Sequence, residues 1–370
     1  MILAVATGNG LRKEIKNKIT GFGGDLQILN YKPNPVYDQV PLKFGDSLAQ
    51  AIEKHSEIRH WQRFGRKAGI IKTDTLFEGA ILKGLGQRFD QRQHLPYLTA
   101  GKVPRYGGTG YNDSVVLSME LSQRLHLKLG DSFLMYFLRK SDPPLRRKFT
   151  VAGLYQTDFE DIDKNFLLGD LNHVRRLNGW GAQEIGGLEI YLDEGVQSAQ
   201  VLEGLRQILP FQYNALSARE LNPQLFQWLD LFDTNIIIIL VIIIIVATVN
   251  MSIALLILIM ERTRMIGILK ALGAGNWSVQ KIFLINAGYL MLKGLFFGNL
   301  IGIGLGLIQQ QWGLIKLDPR TYYVSQVSVD LDPGLILALN LGVMLICLLC
   351  LLLPALLISR LRPVKALRFD

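Results

Sequence analysis

Residues 235–260, NIIIILVIIIIVATVNMSIALLILIM, carry no charged side chain. At 1.5 Å rise per residue, about 20 apolar residues cross a ~30 Å hydrocarbon core as a helix. Two further runs meet that requirement. Ile282–Ile308 holds one charge, Lys293, and Gly334–Ser359 holds none. Residues 1–233 contain no comparable run. The expected fold class is therefore a membrane α-helical bundle joined to a large polar domain.

Charge orients the bundle. Between the first two runs Arg262, Arg264, Lys270 and Lys281 oppose only Glu261, and after the last run Arg360, Arg362, Lys365 and Arg368 oppose only Asp370. The segment between the second and third runs is not positive: Lys316 and Arg320 meet Asp318, Asp330 and Asp332. Positive loops stay cytoplasmic. Residues 261–281 and the tail 360–370 are then inside. Residues 309–333 and the 1–233 domain are outside. The spans are expected at 234–260, 282–308 and 334–359. The net charge of +9 lies largely beside the spans, and no nucleic-acid-binding signature accompanies it.

The outer domain reads as α+β. Leu11, Ile15 and Ile19 recur at helical spacing until GFGG breaks the pattern. DLQIL, KAGIIK, GAILKGLG and GLEIYL read as strands. SLAQAIEKHSEIRHW and VQSAQVLEGLRQIL read as helices. SFLMYFL and RRKFTVAGLY form a hairpin, and SARELNPQLFQWLDLFDTN reads as one helix leading into the first run. Cys347 and Cys350 both lie in the last run, so no disulfide is expected in the outer domain.

Several chemistries are missing from the pattern. There is no G-x-x-x-x-G-K-[ST] phosphate loop. The histidines 55, 60, 94, 126 and 173 show no metal-ligand spacing. DIDKN, 161–165, begins like a calcium loop, but Phe166 stands where glycine is needed and Asn172 where the closing glutamate belongs. It reads as an acidic turn, and no metal or catalytic residue is expected.

Three surfaces stand out. The first is the island MERTRMIGILKALGAGNWSVQK, 260–281, where Met265, Ile268, Leu269 and Leu272 share one helical face and Arg262 and Lys270 point away. Gly273 and Gly275 stop that helix, and Asn276 is placed to cap the next. The second is a glycine stripe, Gly294, Gly298, Gly302 and Gly306, which lets helices approach closely in a membrane. Lys293 beside it is expected to reach for the headgroups. The third is the hairpin tip 138–148, where Arg139, Lys140, Arg146, Arg147 and Lys148 surround one acid, Asp142, for contact with a periplasmic partner.

MERTRMIGILKALGA is very similar to the signature segment of the FtsX-like permease family of ABC transporters, nearest its lipoprotein-releasing permeases of the LolC/LolE type. LRKEIKNKITGFGGDLQI, LKLGDSFLMYF and KFTVAGLY resemble the MacB-like periplasmic core domain of that family, and RPVKALRF its C-terminal end. The resemblance implies a permease subunit, not an enzyme, in a bacterial inner membrane. It would extract lipoproteins for the outer membrane. The island would be the coupling helix, with contact roles at Glu261, Arg262, Arg264, Gly267, Lys270 and Gly273 toward a separate ABC ATPase. That ATPase would bind ATP and magnesium, leaving no cofactor in this chain. Implied partners are a second permease copy or homologue, lipoprotein cargo, a periplasmic carrier and membrane lipids. The family pattern also admits a MacB-type efflux permease, or a mechanotransmitter that activates a periplasmic cell-wall hydrolase. The family has four spans, so residues 1–10 are expected to be the remnant of a truncated first span, followed by the core domain at 11–233. MILAVA gives roughly 9 Å of helix, too little to cross.

Overall fold

Helix α1 spans Ile2–Gly23 without a break. Leu11, Ile15 and Ile19 are all buried on it, as their spacing requires. It ends where Gly24 takes φ +78°, a left-handed conformation that costs glycine no Cβ clash. The structure, a computed structural model, describes residues 1–31, 39–74, 76–90, 95–138 and 143–355. The chain divides into two units. One holds Glu14–Phe226 with Leu317–Ser325. The other holds Met1–Lys13, Gln227–Lys316 and the chain from Gln326 onward.

The first unit is built on a sheet. Its elements are β1 (Leu26–Asn30), β2 (Leu42–Lys43), α2 (Asp46–Glu53), β3 (Ile58–Lys72), β4 (Phe77–Leu85), β5 (Leu98–Gly101), β6 (Ser114–Ser118), α3 (Met119–Leu125), β7 (Ser132–Phe137) and β8 (Leu145–Tyr155). There follow α4 (Glu160–Asn165), β9 (Phe166–Asp170), α5 (Leu171–Asn178), β10 (Glu184–Ile185), β11 (Gly187–Leu192), α6 (Ser198–Ile208), β12 (Tyr213–Ser217) and α7 (Ala218–Leu221). Among the described residues the main sheet runs β12-β1-β11-β3-β4-β9-β6-β8-β5, and β7 pairs with both β3 and β8. The 15-residue β3 makes this possible. It pairs with β11 along Ile58–Phe64, with β4 along Phe64–Lys72 and with β7 at Ile70–Lys72. One core joins the sheet to α2, α3, α5 and α6 through Ile52, Leu121, Val174 and Leu205.

Three expectations change here. The helix expected over SLAQAIEKHSEIRHW stops at Glu53, and Ile58–Trp61 begin β3. The reason is tertiary: Trp61 pairs with Ile190 in the ladder and packs 5.1 Å from the Phe44 ring. DIDKN is helical, not a turn. Its Asp163 accepts hydrogen bonds from Thr157 N (3.1 Å), Thr157 Oγ1 (2.8 Å) and Asp158 N (3.0 Å). Burial pushes that carboxyl up to about 6, against those hydrogen bonds. SARELNPQL is not one helix. Ser217 and Glu220 form a capping box on the short α7, and Asn222 interrupts the backbone before Pro223 opens the next helix.

The sheet interior holds an ion pair. Lys83 on β4 and Glu189 on β11 are 2.7 Å apart, and both side chains are 0% exposed. Gln62 of the intervening β3 donates to Glu189 at 2.8 Å and to Tyr191 Oη at 2.9 Å. Lys83 also donates to the carbonyl of Phe22, in the last turn of α1, and its ammonium lies 4.2 Å from the Phe22 ring. A cation at a helix C-terminus is favourable because the unpaired carbonyls there carry partial negative charge. Burial pushes the Lys83 ammonium down, and Glu189 opposes that.

The second unit is helical. It takes residues 2–13 of α1, then α8 (Pro223–Glu261) from Gln227, α9 (Thr263–Ala271), α10 (Asn276–Trp312) and α12 (Pro333–Ala355). The short α11 (Pro319–Tyr322) lies within Leu317–Ser325 and so belongs to the sheet unit, where Phe159 stacks on Tyr323 at 4.9 Å. Among the described residues α8, α10 and α12 are long and apolar enough to cross a membrane. The expected cores hold, but α8 begins well before residue 234 and α10 begins six residues before 282. Side chains such as Ile238, Ile242, Phe296, Leu300 and Leu341 are exposed along them. So much apolar exterior requires a lipid or protein surrounding. Residues 356–370, with the tail and RPVKALRF, lie outside the described residues.

Asn299 on α10 and Asn340 on α12 exchange amide hydrogen bonds of 3.0 and 2.9 Å. Each also donates to its own helix, to Leu295 O and Ile336 O. In hydrocarbon an unpaired amide has no water to turn to, so the pair fixes the register of α10 against α12. A double-mutant cycle with Asn299→Leu and Asn340→Leu, read by unfolding in detergent, is expected to give a coupling of about 0.6 kcal/mol, with ~1.7 as a ceiling. Strictly additive losses would contradict the pairing.

Candidate functional site

The charged island folds as α9, closed at its end by Gly273 at φ +91°. Thr263 Oγ1 bonds back to Met260 O at 2.7 Å, so α9 follows α8 with a bend and no linker. At the other end Ala274 N returns to Leu269 O at 2.9 Å and Gly273 N to Lys270 O at 3.1 Å, satisfying carbonyls the helix leaves unpaired. Gly275 is the residue before α10, and no side chain caps it. The capping role expected of Asn276 is thus not realised, because Asn276 is already inside the helix.

The packed face differs from the expected one. Ile266 is fully buried in a cluster with Leu255 and Ile259 of α8, Val279 and Phe283 of α10 and Leu351 of α12. Leu269 packs at its edge. Met265, Ile268 and Leu272 are exposed, Leu272 by 80%. The helix therefore has two apolar stripes, and the bundle uses the one through Ile266. Gly267 is buried beside it. Glu261, Arg262, Arg264 and Gly273 are exposed, and Lys270 is half-buried, its ammonium pushed down by burial. Arginine beside methionine and isoleucine on one exposed helix is the composition of a protein contact surface.

The glycine stripe is divided. A Cβ on Gly306 would meet Leu331 at 3.1 Å, and one on Gly302 would meet Ile2 at 3.5 Å, whereas one on Gly294 or Gly298 would meet nothing within 4 Å. The stripe thus lies half against its own chain and half open, beside a cavity of about 310 Å³ that Asn299 and Asn340 also line. Lys293 sits 4.5 Å from the ring of Tyr289 on its own helix. The asparagine pair was missed in the sequence, although two asparagines inside otherwise apolar runs were the visible signal.

Of the hairpin-tip residues, Arg139, Lys140 and Asp142 lie outside the described residues. Arg146, Arg147 and Lys148 are not tip residues: they are ladder positions in β8 opposite Tyr136, Met135 and Leu134. Alternation turns Arg147 to the side of Phe149 and leaves Arg146 and Lys148 exposed. The three described members of the expected basic cluster are therefore divided between the two faces of the sheet. Among the described residues no group of histidine, cysteine and acidic side chains is placed to hold a metal.

The chain thus combines a sheet-based unit with three long apolar helices among the described residues, and a basic helical island lies between two of them. Residues 237–363 match the FtsX-like permease C-terminal family, so the chain carries an FtsX-like permease domain. Over its whole length it is similar to the lipoprotein-releasing system transmembrane protein LolC of Xylella fastidiosa (strain 9a5c), at 21% identity over 393 residues, covering 90% of that protein. It is likewise similar to LolC of Neisseria meningitidis serogroup B (strain MC58), at 27% over 395 residues, covering 91%. Among solved structures, the periplasmic region of MacB from Actinobacillus actinomycetemcomitans aligns with 56% of this chain and 95% of its own, at 19% identity and a TM-score of 0.38.

Proposed function

We propose that this chain is the membrane subunit of an ATP-driven transporter that removes lipid-anchored proteins from a bacterial inner membrane. A separate ABC ATPase would bind ATP and magnesium and perform the hydrolysis. The observation that carries this reading is the island. It is fixed to α8, α10 and α12 through Ile266, yet it turns Arg262, Arg264, Met265 and Ile268 outward. A body docked on that outer face moves the helix, and the buried cluster passes the motion to the long helices. In this reading Glu261, Arg262 and Arg264 meet the ATPase, while Gly267, Lys270 and Gly273 set the shape of the island.

Lipoprotein release is favoured by the full-length similarity to the LolC proteins. It also fits the physics of the task. Each buried methylene of a lipid anchor contributes about 0.8 kcal/mol, so extracting several chains takes tens of kcal/mol and needs an external energy source. The sheet unit would then stand in the periplasm, receive the released protein and pass it to a carrier. A second permease copy or homologue would complete the bundle at the open half of the glycine stripe.

The test is to purify the chain in mild detergent from its own cells and identify what accompanies it. An ABC ATPase together with proteins bearing N-terminal lipid is the expected result. An ATPase with a periplasmic cell-wall hydrolase and no lipid-modified protein would overturn lipoprotein release and leave the coupling role standing. No ATPase at all would overturn both.

A further inference from the structure

Three arginines of the sheet unit converge where no transport step requires them. Arg63 on β3, Arg88 just beyond β4 and Arg175 on α5 line one cavity of about 390 Å³, together with Trp61, Glu53 and Gln87. Arg88 is neutralised by Glu53 at 2.7 Å, and its guanidinium lies 4.1 Å over the Trp61 ring. Among the described residues the other two have no such acid. Arg63 lies 4.4 Å from the Phe44 ring, and among the described residues no carboxylate is within ion-pair distance of it. Arg175 donates to Glu184 O at 3.0 Å and to Asn172 Oδ1 at 3.3 Å, both uncharged acceptors. Trp61 is only 5% exposed, and its indole N–H has no acceptor among the described residues.

The cluster is electrostatically costly as it stands. Burial pushes the Arg63 guanidinium down and the charge of Arg88 pushes it further, with Asp46 opposing. Arg175 is lowered by burial first and by Arg63 second, with Asp170 opposing. Asp170 is already committed elsewhere, accepting from Asn112 N at 3.1 Å and Asn172 N at 3.0 Å. A cavity lined by three guanidinium groups and one carboxylate, Glu53, which is paired with Arg88, keeps an excess of positive charge and has the donor set of an anion site.

We infer that this cavity binds a phosphate-type oxyanion, gripped by the planar forks of Arg63 and Arg175. Guanidinium suits that role because its paired N–H groups match two oxygens of one phosphate, which a lysine ammonium cannot do. The phosphate can be free in solution or the headgroup of a phospholipid; both present the same oxygens. The site is far in sequence from the island and does not depend on the transport reading.

The experiment titrates the full chain in detergent, at constant ionic strength, with inorganic phosphate or with glycerophosphoglycerol, the soluble headgroup of phosphatidylglycerol. Thermal unfolding is the readout. A saturable rise in midpoint with at least one of the two is expected, and the tighter of them names the source. Arg63→Gln should weaken it about tenfold, the worth of one charged hydrogen-bonding group. Arg63→Lys, which keeps the charge but loses the fork, should weaken it as well. Arg124→Gln, outside the cavity and paired with Glu78, should leave it unchanged. No saturable shift with either compound, or equal shifts in parent and Arg63→Gln, would overturn the site. Should Arg63→Gln not purify as a folded chain, phosphorus NMR of phosphate with the parent decides. Line broadening that pyrophosphate reverses supports the site, and its absence overturns it.

Discussion

Lys83→Ala is expected to destabilise the sheet unit by about 3–5 kcal/mol, because it takes from the fully buried Glu189 carboxylate the ammonium paired with it at 2.7 Å. At roughly 2–4 °C per kcal/mol for a domain of this size, that is a fall of about 10 °C in the unfolding midpoint. Three consequences add together. Glu189 loses its nearest cation and keeps Gln62 as a donor at 2.8 Å, with Tyr191 and the Arg66 guanidinium also facing it. The carbonyl of Phe22 loses its cation at the end of α1. The Phe22 ring loses the ammonium 4.2 Å away. Lys83→Met with Glu189→Met removes both charges while keeping most of the volume, and it should recover most of the loss, since an apolar pair need not overcome the desolvation of two ions. A single variant as stable as the parent, or a double variant no better than the single, would show that the pair does not hold the sheet.

That pair was not legible in the sequence, and its position explains why. Lys83 sits in GAILKGLG and Glu189 in GLEIYL, both of which read as strands, and a charge in a strand reads as a solvent-facing position. Only the strand order β11-β3-β4, which a sequence does not display, sets the two on either side of Gln62. The long β3 was hidden for a related reason. SLAQAIEKH is rich in helix formers, and the pairing that makes Ile58–Trp61 a strand comes from residues 190–192, far along the chain. What the sequence did display was set by local physics. Apolar runs of bilayer length became α8, α10 and α12, Gly273 ended α9, and the i, i+4 pattern of Leu11, Ile15 and Ile19 became the buried face of α1. Local patterns fix elements, but which of two available faces is buried depends on neighbours.

The island shows that distinction, and it carries the other large expected effect. Arg262→Glu with Arg264→Glu should abolish ATPase binding to the purified permease, weakening it roughly 100-fold or more, about 2.7 kcal/mol. Reversing two exposed charges sets like charge against like across a contact, which costs several kcal/mol. Neither arginine belongs to the cluster around Ile266, so the bundle should keep its unfolding midpoint. Ile266→Asp should behave in the opposite way, placing a carboxylate among Ile259, Val279 and Phe283 and lowering the midpoint before any question of binding arises. Gly267→Trp forces an indole into a buried position and should sit between the two, with about 1–3 kcal/mol of overpacking and impaired coupling. The separation matters because the proposed reading gives α9 two jobs on two faces. Met265, Ile268 and Leu272 add apolar area to the outer face, so Met265→Ser with Ile268→Ser should also weaken the ATPase, less steeply and without the salt dependence of the arginine variant. Binding assays with the ATPase subunit, run beside unfolding curves for the same preparations, distinguish these outcomes. If the double reversal binds the ATPase as the parent does and still releases cargo, the island is an interfacial helix and the coupling surface lies elsewhere.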